Sequence, residues 1–233
     1  EGAAGWARVV GGAVRKALLD EAVHEIDIAT TLEPDATMAA AVAAGLSAHP
    51  TGIDHGTVTI VCENNAFEVT TLRHDVETHG RHATVAFTSD WQADAARRDF
   101  TINALYCGLD GDILDPLNAI DDIFNRHVRF VGEPAARIQE DFLRILRFFR
   151  FFAQYGQGAP DEAGLAACRQ HRAGLKQLSR ERVGQEMGKL LLARRASDGI
   201  GYLNDTGVSE ELFGEMPDAD LVARGAGIGE ANG

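Results

Sequence analysis

The stretch that most restricts the fold is residues 137–152, "RIQEDFLRILRFFRFF". At about 100° per residue, Ile138, Phe142, Ile145, Leu146, Phe149 and Phe152 fall on one broad apolar face. A helix with such a stripe holds only when that face is packed against other elements. The following sequence supplies partners, because helical patterning recurs over 160–172 and 179–195 and more weakly to about residue 215. The chain is therefore expected to be helical from about residue 133 onward, with the first of these helices spanning 133–155.

The first 130 residues read differently. "ARVV" (7–10) is a short strand running into Gly11-Gly12, a helix follows over 13–19, and "EIDIAT" (25–30) alternates as a strand does. Pro34 and Gly45 bracket a further helix. "TVTIVC" (57–62) and "FEVTTLR" (67–73) flank Asn64-Asn65 and predict a hairpin. A polar, His-rich loop (74–90), a helix at about 91–106 and a tight turn with a short strand in "LDGDILDP" (109–116) complete this part. Mixed strands and helices followed by helices alone give an α+β class. The expected division is a mixed head over 1–125, a helical neck over 126–195, and a further helical segment over 196–233 that frays in a Gly-rich end.

Charge follows the same division. The net charge of −13 argues against a polyanionic partner, but residues 126–195 hold 14 basic and 7 acidic side chains, against 7 and 20 in residues 1–125. An acidic half able to hold metal ions thus precedes a basic one able to meet phosphates; ordinary solvated helix faces are the alternative. Cys62, Cys107 and Cys168 form no CxxC or zinc spacing and read as reduced thiols. No apolar run reaches the ~20 residues of a membrane span, residues 1–20 lack a secretory pattern, and the chain reads as cytoplasmic.

Four motifs carry chemistry. Gly11-Gly12, before a helix bearing Arg15, lets backbone N–H groups approach an anion, or makes a plain tight turn. Glu25 and Asp27 stand at i and i+2 of a strand, so both carboxylates share one face. That is either an exposed strand face or a pair of Mg²⁺ ligands for in-line phosphoryl or nucleotidyl transfer, with Glu68 as a third ligand or supporting group. "RRDFTINAL" places Arg97, Arg98 and Asp99 together, four residues before Asn103. In the long helix, Asp141, Arg144, Arg147 and Arg150 climb an i, i+3 row beside the apolar face. Asp141 and Arg144 form either a local salt bridge or an acceptor and a donor fork offered to a base edge. Such a pair accepts cytosine and adenine, each an exocyclic amine beside a ring nitrogen, and refuses uracil and guanine.

Together, GG-x-VR (Gly11 to Arg15), "EIDIATT", "RRDFTINAL" and "RIQEDFLRILRFFRF" resemble the bacterial class II tRNA nucleotidyltransferases (CCA-adding enzymes) and the related poly(A) polymerases, in order and spacing, over residues 7 to 195. The resemblance implies a nucleotidyltransferase palm, a small mixed sheet with helices, followed by the neck. It implies Mg²⁺ on Glu25 and Asp27, and triphosphate contacts from Gly11, Gly12 and Arg15. Arg98 and Asp99 would bind triphosphate and ribose, with Asn103 holding the local backbone. Asp141 and Arg144 would read the base, with Arg147 and Arg150 completing the nucleotide pocket. The implied partners are CTP, ATP and the 3′ end of tRNA, and the 74–87 stretch would govern the switch from C to A addition.

Two positions depart from the family pattern. The metal pair is normally Asp-x-Asp and here is Glu25-Ile26-Asp27, and the VR is usually followed by Asp where this chain has Lys16. A carboxylate shifted by ~1 Å at a catalytic centre can cost about 10²-fold, so a weakened enzyme is expected rather than a dead one. The family also continues through body and tail domains, of which residues 196–233 would be the start. The alternatives are a poly(A) polymerase of the same family and a truncated module that binds RNA or nucleotide without turnover. A Rossmann dehydrogenase fits poorly, since GxGxxG is absent.

Overall fold

The computed structural model describes residues 5–79 and 82–214, with the backbone alone described over 75–79 and 82–85. The chain forms two compact units, Glu1–Phe124 and Asn125–Gly233.

The first unit is built on β1 (Ala7–Val10), α1 (Gly12–Leu18), β2 (Asp27–Thr30), α2 (Pro34–Ala43), β3 (Ser47–Gly52), β4 (Thr57–Cys62), β5 (Asn65–Thr71), β6 (Arg73–His79), β7 (His82–Phe87), α3 (Trp91–Ala96), β8 (Tyr106–Cys107), β9 (Ile113–Leu114) and α4 (Ile120–Phe124). Seven strands form one sheet in the order β3-β4-β5-β2-β1-β8-β9. β2 and β5 run parallel and the other neighbours antiparallel, so the sheet is mixed. Val10, Ala29, Leu72, Ala95, Ala104 and Tyr106 form a buried cluster beneath it, with Trp91, Leu114 and Leu117 packed on its border.

Several expectations shift here. The second strand begins at Asp27 rather than Glu25, and Glu25 lies in the irregular segment that leads into it. The β4–β5 turn is centred on Glu63-Asn64, both at positive φ (48° and 66°), with Asn65 already paired to Cys62. A two-residue turn of that hand matches the twist of the flanking strands. β3 went unread because "SAHPTG" holds a proline and no alternation; as an edge strand it tolerates both. The stretch expected as a loop over 74–90 contains the β6–β7 hairpin, a two-stranded ribbon apart from the main sheet. Such a ribbon need not alternate apolar and polar residues, the signal by which strands are read.

The helix expected over 91–106 is also shorter. α3 ends at Ala96, a 3-10 turn covers Thr101–Asn103, and Tyr106 has entered the sheet beside Val10. Burial of Phe100, Ile102, Leu105 and Tyr106 against the sheet outweighs the local helical pattern.

The second unit holds α5 (Pro134–Glu140), α6 (Leu143–Tyr155), α7 (Glu162–His171), α8 (Arg180–Leu191), α9 (Ala196–Asp205) and α10 (Val208–Phe213). α6 is its centre: Ile145, Leu146, Phe148, Phe149 and Phe152 are buried, with α8 and α9 packed against the helix. The single helix expected over 133–155 is two. Asp141 stands extended between them (φ −153°, ψ 108°), and its Oδ1 accepts from Leu143 N at 3.1 Å. An Asp side chain that bonds the backbone two residues on competes with helix continuation.

Candidate active site

In the first unit the site begins at the end of β1. Val10 is followed by Gly11 at φ 69°, ψ −119°, a conformation closed to most side chains. A Cβ at Gly11 would stand 3.6 Å from Asn103 O and 3.8 Å from Arg98 Nη1, so the turn passes directly over the RRD segment. Gly12 opens α1, and a Cβ there would lie 3.7 Å from Arg15 Nη2.

Arg15 is buried and its Nη1 donates to Asn103 Oδ1. Asn103 Nδ2 donates to Asp99 Oδ1 at 3.0 Å, and Phe100 N donates to the same oxygen at 2.8 Å. Asn103 thus links two side chains expected in the site, a more specific task than holding its local backbone.

Arg98 is held from behind. Its Nη2 donates to Asp94 Oδ2 at 2.8 Å and its Nε to Tyr106 Oη at 3.3 Å, and the guanidinium lies 5.3 Å from the centre of the Tyr106 ring. Arg97 pairs with the other oxygen of Asp94. Burial pushes the Asp94 carboxyl up, but the charges of Arg98 and Arg97 and the hydrogen bonds outweigh it, and the net shift is downward. Burial, with the Asp94 carboxylate beside it, pushes the Tyr106 hydroxyl well up. Asp94 and Tyr106 were missed in the sequence; the legible signal was Asp94 three and four residues before Arg97 and Arg98.

Asp27 is the register partner of Val10, the residue before the Gly11 turn, and it lies on a cleft of about 520 Å³ lined by His24, Glu25, Asp27, Asn65, Phe67 and Glu68 among others. Asp27 and Glu68 are register partners on the parallel pair β2–β5, so they emerge side by side. Burial and the charge of Glu25 raise the Asp27 carboxyl above its ordinary range, with Arg98 pulling the other way. Among the described residues, none of these three acids forms a salt bridge, and no group of three His, Cys, Asp or Glu side chains makes a ready-made metal cage.

The second unit carries the remaining predicted residues. Asp141 accepts from Arg182 Nη2 at 2.7 Å, while Arg144 donates to Glu140 Oε2 at 2.5 Å and to Arg137 O at 2.8 Å. The local Asp141–Arg144 salt bridge weighed from spacing is therefore replaced by two separate pairs. Arg150 is 8% exposed, and its Nε meets Glu186 Oε2 at 2.5 Å. Arg147 reaches the same Glu186 at 3.9 Å and lies over Phe151. Glu140 stands four residues before Arg144, a local spacing the sequence offers, whereas Arg182 and Glu186 lie some 40 residues from their partners and only the fold brings them in.

A glycine turn over clamped arginines, with carboxylates on the adjoining strands of a mixed sheet, is the arrangement of a nucleotidyltransferase-type palm. Residues 7–129 match the family described as "Poly A polymerase head domain", and residues 159–220 match "Probable RNA and SrmB- binding site of polymerase A". The chain belongs to the poly A polymerase head domain family. It is 43% identical over 208 residues to "CCA tRNA nucleotidyltransferase 1, mitochondrial" of Danio rerio, covering 87% of this chain and 48% of that protein. It is 38% identical over 223 residues to the "CCA-adding enzyme" of Geobacillus thermodenitrificans, covering 93% and 53%. The crystal structure of the Bacillus stearothermophilus CCA-adding enzyme in complex with CTP superposes with a TM-score of 0.79 at 36% identity, covering 88% of this chain and 49% of that one. The chain thus spans about half the length of the relatives it matches. Among the described residues, no helix is long and apolar enough to cross a membrane.

Proposed function

We propose that the chain carries the catalytic part of a Mg²⁺-dependent, template-independent nucleotidyltransferase. It transfers CMP and AMP from CTP and ATP to the 3′ end of tRNA, releasing pyrophosphate. The observation that carries this reading is the register of β2, which sets Asp27 beside Glu68 on one side and beside Val10, the residue before the Gly11 turn over Arg98, on the other.

The donor set fits the metal. Mg²⁺ takes oxygen ligands and is usually held by one or two carboxylates together with substrate phosphates, and the crowded charges of Glu25 and Asp27 are relieved by a cation between them. Glu25 and Asp27 would hold it, with Glu68 beside them. When bound, the metal supplies charge neutralisation at the triphosphate and lowers the pKa of an attacking hydroxyl. Arg98 binds the triphosphate with a guanidinium fixed in advance, and the Gly11-Gly12 turn lets backbone approach the phosphates. Arg15, through Asn103, sets Asp99, which accepts from the ribose 2′-OH and so separates NTP from dNTP. In the helical unit Asp141 and Arg144 read the base edge of C or A, each held by its own counter-charge, Arg182 or Glu140; Arg147 and Arg150 support that nucleotide site.

The neck over 126–195 and a body beginning near 196 belong to this reading. So does control of the C-to-A switch by the 74–87 segment, where residues 80–81 lie outside the described residues. A cytoplasmic location also belongs to it, on the pattern of three free thiols. Labelled CTP and ATP are to be supplied, separately and together, with tRNA transcripts ending before CCA, after C and after CC. Stepwise addition stopping at CCA supports the proposal; long runs of A convert it to a poly(A) polymerase. The position of Glu25 ahead of β2 favours one competing reading, binding without turnover. That reading gains if neither the chain nor Glu25→Asp adds any nucleotide.

A further inference from the structure

Asp94 is 1% exposed, and both of its oxygens are occupied. Oδ1 accepts from Arg97 Nε at 2.9 Å and from the backbone N of Arg73, the first residue of β6, at 3.4 Å. Oδ2 accepts from Arg98 Nη2 at 2.8 Å and from the Tyr106 hydroxyl at 2.7 Å. Tyr106 also accepts from Arg98 Nε, and its ring is braced edge-on by Trp91 at 4.9 Å between centroids. Two nitrogens of Arg98 are therefore tied back. The third, Nη1, is the one that stands under the Gly11 turn, 3.8 Å from where a Cβ would be.

We infer that Asp94, acting with Tyr106, is a positioning residue for the nucleotide triphosphate. It fixes the rotation of the Arg98 guanidinium so that Nη1 is presented at the Gly11 turn. A planar fork recognises phosphate through direction as well as charge, so an Arg98 free to rotate would keep its charge and lose its aim. The competing target is on the neighbouring strand, since Asp27 is the register partner of Val10, the residue before the Gly11 turn that Arg98 Nη1 stands under. Without Asp94, the guanidinium is free to swing toward the acids assigned to the metal and to neutralise them. A buried ion cluster is a poor way to add stability compared with apolar packing, which fits a role in placement. Through the Arg73 amide, the root of the β6–β7 hairpin and the two arginines share this one anchor.

This inference rests on the proposed function, and its test separates the two. Equilibrium binding of labelled CTP with Mg²⁺, binding of a tRNA transcript, steady-state kinetics and thermal melting are to be compared for the parent chain, Asp94→Asn, Tyr106→Phe and the double variant. Tyr106→Phe keeps the ring and removes only the hydroxyl, so it tests the idea even if Asp94→Asn folds poorly. Asp94→Asn is expected to weaken CTP binding by roughly tenfold to a hundredfold, the scale of a ~1 Å misplacement. KM for nucleotide should rise more than kcat falls, and transcript affinity should stay within about twofold, since Asp94 is assigned to the arginine that meets the nucleotide. Tyr106→Phe should weaken CTP binding less, and the double variant no more than Asp94→Asn, because both act through Arg98. Parental CTP affinity in variants that merely melt earlier would make Asp94 structural and overturn the inference, as would strictly additive losses. A parent chain that binds no CTP would overturn it together with the function it rests on.

Discussion

The two units treat their charges in opposite ways. In the helical unit each arginine of α6 meets a carboxylate: Arg144 meets Glu140, and Arg147 and Arg150 share Glu186, while Asp141 is answered by Arg182. In the first unit the balance is one-sided. Asp94 is fully compensated by Arg97 and Arg98, yet Glu25, Asp27 and Glu68 form no salt bridge among the described residues, and the Asp27 carboxyl is held above its ordinary range. Charges paired within the chain fix side chains in place. Charges crowded without a partner favour a cation from outside, at a cost to the fold that carries them. Among the described residues the α6 arginines are thus answered from within their own unit, and the acids of the first unit are the groups to which the proposed function assigns a metal.

The largest expected effect comes from deleting the member of the crowded pair that stands in β2. Asp27→Ala should lower nucleotide incorporation by roughly 10³-fold or more, the several kcal/mol that a metal contributes to such a transition state, with melting temperature unchanged or raised. A loss of less than about tenfold, measured by single-turnover incorporation, would break the comparison. Next is Glu186→Ala, which removes the carboxylate that meets Nε of the buried Arg150. It should cost about 3–5 kcal/mol of stability, read from urea unfolding, and a loss within the range of a surface ion pair would show that the α6 pairs hold little.

Asp94→Asn should destabilise at neutral pH on a similar scale, about 3 kcal/mol, with a pH dependence of defined sign. The folded pKa of Asp94 lies below its unfolded value, so its contribution is present above the ordinary Asp range and is lost as pH falls through the lowered pKa. The gap between parent and variant, followed by melting, should close in strong acid. A smaller effect is expected from Glu25→Asp, which restores the family's spacing: incorporation should rise, by up to about 10²-fold if the carboxylate is now ~1 Å off. No rise would mean that the approach to β2 already delivers Glu25 to the right place.

Much of this was legible from residues, and the failures have physical causes. The α6 stripe, β1 with its glycine turn, and the β4–β5 hairpin follow from periodicity and turn chemistry, which are local. Local reading failed where distant contacts decide: Phe100 to Tyr106 abandon a helical pattern to fill the core under β1. It failed again at Asp141, whose side chain breaks a helix that apolar spacing alone runs straight through. The site residues were named from motifs, but the residues that hold them were harder to see. Asp94 lies one helical turn before Arg97 and Arg98 and was open to an i, i+3 and i, i+4 reading. Arg182 and Glu186 reach Asp141 and Arg150 from a different helix, a pairing that only the fold can bring about.

The most direct measurement is thermal melting of the parent and Asp27→Asn in EDTA, and again with Mg²⁺ and CTP. The Asp27 carboxyl has a raised folded pKa, so its ionised form destabilises the fold at neutral pH; its neutral form does not. In EDTA at pH 7 the variant should therefore melt above the parent, with the difference vanishing below the ordinary Asp range. Mg²⁺ and CTP should then raise the parent and leave the variant nearly unmoved. A variant that melts below the parent in EDTA, or that gains as much from Mg²⁺ and CTP, would contradict an acidic site built to await its metal.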